Sequence, residues 1–297
     1  MNKQSDFLVT HPDQLLAFLV HNLPCEGRKR LKNLLAAGRV LVDSQAVRQF
    51  DHPLQTGQRI TVVPRQAAIQ RQGLPTLPVV HEDEFLIVVN KPSGLLTVAT
   101  DKEKRRTAYA MLSNYVKEEN PDNKIFVVHR LDRETSGLLL FAKSEEVKRA
   151  IQDSWLDVIS ERLYVAVLEG KLKEEAGTVR SYLKETASMR VYASENPHQG
   201  KEAVTHFKRL ALSRAYSLVE LRLETGRKHQ IRVHMQGLGH PVAGDKKYDA
   251  TTNPLKRLAL HARVLAFHHP IDGRLHHYET PIPPAFATMF SAALLQL

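Results

Sequence analysis

Cysteine is nearly absent, with Cys25 the one example in 297 residues. A lone thiol forms no internal disulfide and no cysteine-built metal cluster, which suits a reducing compartment, so the cytoplasm is the expected location. Long apolar runs are missing as well. The stretch Leu15-Leu16-Ala17-Phe18-Leu19-Val20 is too short for a membrane span or a signal peptide and follows a polar, proline-containing start, so neither membrane attachment nor export is expected. Nucleotide loops are lacking too. Gly237-Leu238-Gly239 is not followed by the third glycine of a dinucleotide loop, and no Gly-Lys-Ser/Thr motif occurs, which leaves ATP and NAD unsupported. The 15 histidines invite a metal reading at His229 with His234, at His268-His269 and at His276-His277. None of these forms a His-Glu-x-x-His arrangement or a Cys/His finger, so no metal is expected.

What the chain does have is positive charge. Lys and Arg number 42 against 32 Asp and Glu, a formal net charge of +10. Excess cations release counterions when they meet a phosphate backbone, which favours a nucleic-acid partner, although a basic protein with a solvated surface fits the same numbers. The apolar share of 42% and charged share of 25% are those of an ordinary folded protein. Its length suggests one main domain plus a smaller one.

Residues 1–63 read as a compact basic module. Leu15, Leu16, Phe18 and Leu19 give one helical face, and Leu31, Leu34 and Leu35 give a second on Arg28–Ala37, which also carries Arg28, Lys29, Arg30 and Lys32. Gly38 ends that helix, and the segments Arg39–Asp43 and Gly57–Val63 look like strands. This stretch resembles the α-L RNA-binding module of a small-subunit ribosomal protein, with Asp43-Ser44 standing where an Asn-Gly turn is common. The resemblance implies RNA contacts by Arg28, Lys29, Arg30, Lys32 and Arg39. Helix faces of this kind are also often simply solvated.

Residues 64–78 contain Pro64, Pro75 and Pro78 and little periodicity, as expected of a semi-extended linker. A second domain, 79–297, is expected to be strand-rich. Strands are read at Phe85–Asn90, Ile125–His129, Leu138–Ala142, Tyr164–Leu168, Val204–Leu210, Tyr216–Leu223 and Leu258–Phe267. Helical stretches are read at about 105–118 and 144–159, the second capped by Ser144 with Glu145 and Glu146 in its first turn. The fold class is therefore α+β, with a mixed and mostly antiparallel sheet.

The sharpest feature is His129-Arg130-Leu131-Asp132-Arg133-Glu134-Thr135-Ser136-Gly137, a polar loop wedged between two apolar strands. Rigid scaffolds place reacting groups on such loops. A guanidinium close to Asp132 would keep its carboxylate ionised and ready to act as nucleophile or base. Spacing alone fits equally well a turn whose Asp and Thr bond local backbone and which ends at Gly137.

The string running on through Leu138-Leu139-Leu140-Phe141-Ala142-Lys143 resembles the catalytic motif of the RluA family of pseudouridine synthases. Further segments match that family in order: Val89–Gly94, Tyr164–Gly170, Thr225–Met235 and Gly239–Asp245. The resemblance spans nearly all of residues 79–285 and implies a pseudouridine synthase fold that isomerises uridine in RNA without a cofactor. It implies that Asp132 attacks the uridine nucleotide at the anomeric carbon of the ribose. It implies that Tyr164 packs on the base and removes the ribose proton in the intermediate, and that Arg232 pairs with the catalytic carboxylate. Arg130 would fill the space left by the flipped nucleotide, with Arg133, Arg227, Lys228 and His229 also expected at the substrate. A tyrosine at a strand start more often packs with its hydroxyl satisfied, and Arg227 and Lys228 read equally well as a phosphate-binding face. Asn90–Gly94 is expected to shape the pocket wall.

The expected substrate is structured RNA, foremost large-subunit ribosomal RNA, with tRNA as the alternative. No DNA partner is expected, and nothing demands more than a monomer. Two rivals share the features: a non-catalytic RNA-binding assembly factor, and a glycosidase that would release free uracil.

Overall fold

Why two short helices form near the N-terminus is visible in what they bury. The helix Leu15–Asn22 turns Leu15, Leu16, Phe18 and Leu19 inward, and Arg28–Ala36 turns in Leu31, Leu34 and Leu35, the i, i+3, i+4 stripe of an amphipathic helix. Both stripes join one core with Val40, Val42, Ile60 and Val62. Those four belong to an antiparallel sheet ordered Ser5–Leu8, Arg59–Val62, Val40–Val42, Gln45–Ala46. Gly38, with φ +67°, closes the second helix as expected, its N–H bonding Leu35 O at 2.9 Å. The Asp43-Ser44 turn works without a glycine. Both residues take positive φ, 49° and 69°, as the tight hairpin requires, and Asp43 Oδ1 accepts from Arg59 N at 2.9 Å.

The computed structural model describes residues 5–24, 26–36, 38–63, 68–69 and 76–290. Cys25, Ala37 and most of the expected linker 64–78 lie outside the described residues. Two compact units are formed, Met1–Ile69 with Leu112–Lys124, and Gln70–Met111 with Ile125–Leu297.

The second unit is built on one large sheet. Its central strands run in the order Ala176–Glu185, Lys201–Leu212, Tyr216–Leu223, Ile159–Glu169, Leu260–His268, Ser136–Ala142, Leu86–Lys91, Leu77–Glu82. Neighbours are antiparallel except for Ser136–Ala142 against Leu260–His268, which run parallel. All seven residues of Ser136–Ala142 are buried, as befits a strand covered on both faces. On one side the helix Glu145–Asp153 lays Val147 and Ile151 against Leu86, Val88, Leu138 and Leu140. Ser144 caps it, Oγ accepting from Val147 N at 3.2 Å. A second core gathers Val165, Val167, Leu218 and Leu221 with Ile231 and Met235 of the helix Gln230–Gly237. No helix among the described residues is long and apolar enough to cross a membrane. The mixed, mostly antiparallel sheet with few helices is the α+β fold expected.

One row across this sheet fixes the site. Gly137 pairs with Ala262, and Ala262 pairs with Tyr164. A Cβ on Gly137 would lie 2.1 Å from Ala262 O, and its φ is +116°, so this close parallel approach tolerates only glycine. The register slips between Leu163 and Tyr164, an irregularity of the kind that re-aims side chains beside active sites.

Candidate active site

The loop bearing Asp132 is pinned from beneath. Thr97 Oγ1 donates to Leu131 O at 2.8 Å and accepts from Leu131 N at 3.2 Å, and both residues are buried. Lys91, fully buried, directs Nζ to the carbonyls of Pro92, Leu95 and Arg133 at 3.0, 2.8 and 3.1 Å. Burial draws its pKa down to about 7, opposed by the charges of Glu134 and Asp132. Gly94 N bonds Arg133 O at 2.9 Å, and Ser93 Oγ bonds Glu134 O at 2.7 Å. The Asn90–Gly94 turn thus holds the backbone of the loop that carries Asp132. His129 accepts from Leu140 N at 3.1 Å and is kept neutral, burial pushing its pKa down to about 3.

A guanidinium does sit at Asp132, but neither neighbouring arginine supplies it. Arg133 Nε turns back to Gly94 O at 3.1 Å, with Glu134 at 3.6 Å, and Arg130 is exposed without a hydrogen bond among the described residues. The cation is Arg232, whose Nη1 donates to Asp132 Oδ2 at 3.1 Å. Its Nε and Nη2 donate to Asp245 Oδ2 and Oδ1 at 2.6 and 2.8 Å. Asp245 is 1% exposed, Arg232 11% and Asp132 30%. Two oxygens deep in the protein therefore aim the fork, and its third nitrogen meets a carboxylate that still reaches solvent. The Tyr248 ring lies beneath, 4.9 Å from the guanidinium carbon.

Arg232 and His229 owe their positions to the helix Gln230–Gly237, two of whose polar residues, Gln230 and His234, are buried. Gln230 Nε2 donates to Val204 O and Thr205 Oγ1, and His234 bonds Ser181 Oγ and Thr205 Oγ1, both at 2.9 Å. Just before the helix, His229 adopts left-handed backbone with φ 56°. Its Nδ1 meets Tyr248 Oη at 2.7 Å, and its Nε2 lies 3.7 Å from Asp132 Oδ2. Burial lowers its pKa to about 4 against the opposing pull of Asp132, so the ring is neutral near pH 7.

Tyr164 is partly buried, and burial raises its phenol pKa, with Arg162 lowering and Asp132 raising it. It therefore shares the electrostatic field of Asp132 and keeps its proton at rest. Arg162 packs over Trp155 at 5.3 Å and donates to Glu224 O at 3.2 Å. Arg227 and Lys228 are exposed at the rim, Arg227 Nε on Glu202 O at 3.0 Å and Lys228 paired with Glu185. Lys247, with its pKa lowered by burial and by Arg232 and Lys228, adds to the positive rim. Among the described residues, no three His, Cys, Asp or Glu side chains gather to hold a metal ion.

Asp132, Arg232 and His229 thus come together, with Tyr164 in the same field, whereas Arg133 is turned away onto Gly94 O. Sequence reasoning gave no role to Asp245, Tyr248 or Thr97. In the N-terminal unit, Arg28, Lys29, Arg30 and Lys32 are exposed, with Arg30 on Glu26 at 2.8 Å and Lys32 over the Phe50 ring. Arg39 instead bonds Val63 O through Nε and Nη2.

Residues 85–237 match the family model described as RNA pseudouridylate synthase. The chain is 34% identical over 273 residues to the uncharacterized RNA pseudouridine synthase YlyB of Bacillus subtilis (strain 168), covering 89% of this chain and 88% of that one. It is 32% identical to the ribosomal large subunit pseudouridine synthase D of Salmonella typhimurium, covering 94% and 89%. Human RNA Pseudouridylate Synthase Domain Containing 4 shares the fold at a TM-score of 0.59, with 24% identity over 73% of this chain and 92% of that chain. With the family model matched over more than half its length and such relatives nearly end to end, this chain belongs to the RNA pseudouridine synthases, in the RluA family.

Proposed function

We propose that this enzyme converts uridine to pseudouridine in structured RNA, foremost large-subunit ribosomal RNA, with Asp132 as nucleophile and no cofactor. The observation that carries this reading is the half-open carboxylate of Asp132 held by Arg232, itself anchored through two bonds to buried Asp245. An oxygen of Asp132 bonds to C1′ of the ribose as the C1′–N1 bond breaks, its electron pair leaving with the uracil. The uracil turns within the site and C5 bonds to C1′, while the ester bond breaks and returns its pair to Asp132. Across the whole reaction C5 loses its proton and N1 gains one, so nothing is oxidised or reduced.

Tyr164 stacks on the flipped base, which offsets the few kcal/mol that extrusion costs. Its raised pKa favours stacking and hydrogen-bond donation in the resting enzyme. Once Asp132 is esterified its charge is gone, which removes one cause of that rise, so Tyr164 gives up its proton more readily to N1 of the released uracil. The phenolate then takes the C2′ proton of the ribose as the ester bond breaks, hands it back to C2′ as C5 bonds to C1′, and finally receives the proton that C5 loses. Arg130, free among the described residues, fills the vacated place in the RNA. Arg133, Arg227, Lys228 and His229 complete the substrate side, with Arg227 and Lys228 on phosphates. The N-terminal unit acts as an α-L module, tethering RNA through Arg28, Lys29, Arg30 and Lys32, with Arg39 bracing its sheet. One chain carries every residue of this site, so a monomer in the cytoplasm suffices.

Support for ribosomal RNA comes from the relatives named as large-subunit synthases. The test incubates the purified protein with unmodified ribosomal RNA and with tRNA, without additives, and maps pseudouridine beside Asp132→Asn. Pseudouridine in ribosomal RNA with the wild type alone is the expected result. Modified tRNA only would move the substrate, free uracil would mean a glycosidase, and bound but unchanged RNA in both pools would favour an assembly factor.

A further inference from the structure

Arg232 Nη1 and His229 Nε2 both face the same oxygen of Asp132, Oδ2, at 3.1 and 3.7 Å. The proton on His229 is placed by its neighbours. Val191 N donates into Tyr248 Oη at 3.0 Å, so the phenol directs its own hydrogen to His229 Nδ1 at 2.7 Å. Tyr248 is 1% exposed, and burial raises its pKa, so that hydrogen stays on the phenol. Nδ1 is thereby the acceptor and Nε2 carries the N–H, pointing at Asp132. His229 holds left-handed backbone without being glycine, the sort of local strain retained where a side chain must be aimed.

We propose that His229 is a positioning residue that, with Arg232, occupies Oδ2 and leaves Oδ1 as the oxygen that attacks the ribose. This rests on the reading of Asp132 as nucleophile. As Oδ1 bonds to C1′ and the pair of the C1′–N1 bond leaves with uracil, Oδ2 becomes the ester carbonyl, still facing its two donors. When C5 attacks C1′ and the Oδ1–C1′ bond breaks, the returning negative charge spreads onto Oδ2, where Arg232 and the His229 N–H receive it. The 3.7 Å separation shortens to hydrogen-bond distance once substrate fills the site, as such contacts do. His229 thereby aids the departure of Asp132, the second half of the reaction.

The test compares His229→Gln, whose amide can offer a donor near Nε2, with His229→Leu, which offers none. Both place an ordinary side chain at the same positive φ, so the backbone penalty is matched. Single-turnover pseudouridine formation on unmodified large-subunit ribosomal RNA is measured with the full chain, alongside RNA Kd and melting temperature. His229→Leu is expected to slow turnover at saturating RNA by about tenfold or more, a larger effect than on Kd, and His229→Gln to recover most of the rate. Tyr248→Phe, which frees the tautomer, is expected to slow the wild type but to add nothing in the His229→Leu background. Wild-type speed in His229→Leu, equal loss in both substitutions, or fully multiplying losses with Tyr248→Phe would each overturn the proposal. Activity in Asp132→Asn would instead sink the nucleophile reading beneath it, so the two failures are told apart.

Discussion

Asp245 grips Arg232 with both carboxylate oxygens, at 2.6 and 2.8 Å, and is the more deeply buried partner of the pair. The ion pair between Arg232 and Asp132 is thus one arm of a three-residue chain whose fixed end is Asp245. Asp245→Ala strands a largely buried cation and is expected to cost about 3–5 kcal/mol of stability. Asp245→Asn keeps shape and one acceptor, so it should stay folded while single-turnover rate falls by roughly 100-fold through misaimed Arg232. Thermal unfolding and rate measurements on both variants check this, and a fully active Asp245→Asn would refute it.

Two glycines make a matched test of the sheet crossing. Gly94 has φ +84° with open space around its missing side chain, whereas Gly137 meets Ala262 backbone. Gly94→Ala is expected to lose only about 1–2 kcal/mol, the ordinary left-handed penalty. Gly137→Ala must push two strands apart and should lose the folded state or exceed that loss several-fold in denaturant titration.

Thr97→Val removes the hydroxyl that serves both the N–H and C=O of Leu131. Two buried backbone groups lose their partner at nearly constant volume, for an expected loss of about 2–4 kcal/mol. Faster amide exchange at Leu131 is the direct readout.

Acid should unfold the enzyme early. Burial lowers the pKa of His129 to about 3 and of His229, His234 and His261 to about 4. Between those values and about 6.5 the unfolded chain binds the more protons, so stability rises with pH there. Each such histidine contributes up to about 1.4 kcal/mol per pH unit. The stability is fully present above about pH 6.5 and is lost as pH falls toward 4. Melting temperatures from about pH 7.5 to 4.5 check the sign, and substituting His261→Gln should flatten the curve.

The N-terminal helix invites a salt titration. Replacing Arg28 and Lys29, both exposed, with Gln should reduce the slope of log affinity against log salt by roughly 0.7–0.9 for each phosphate that is no longer neutralised. An unchanged slope would leave that helix outside the RNA interface.

How far the sequence can be read follows from what each segment buries. Ser136–Ala142 and Tyr216–Leu223 advertise themselves by apolar content because the core surrounds them. The strand Ala176–Glu185 sends no such signal, since most of its residues remain outside the core and its pattern has no apolar run. The helix Gln230–Gly237 shows in the sequence only as a motif, because it buries Gln230 and His234 through hydrogen bonds to Thr205 and Ser181. Polar burial leaves no periodic trace. The stretch expected to be helical over 144–159 breaks at Ser154 and turns into a strand at Ile159, where β-branched residues meet the sheet. Asp132 and Arg232 are legible as chemistry, yet nothing in the stretch Gly239–Asp245 marks out its last residue. Only the fold brings a residue 13 positions on to the far side of the same guanidinium.

The row of Gly137, Ala262 and Tyr164 ties the loop that carries Asp132 to Tyr164 through main chain rather than through interchangeable side chains. The spacing along that row is consequently set apart from the exposed surface. Exposed cations such as Arg130, Arg227 and Lys228 can be exchanged without changing how far Asp132 lies from Tyr164.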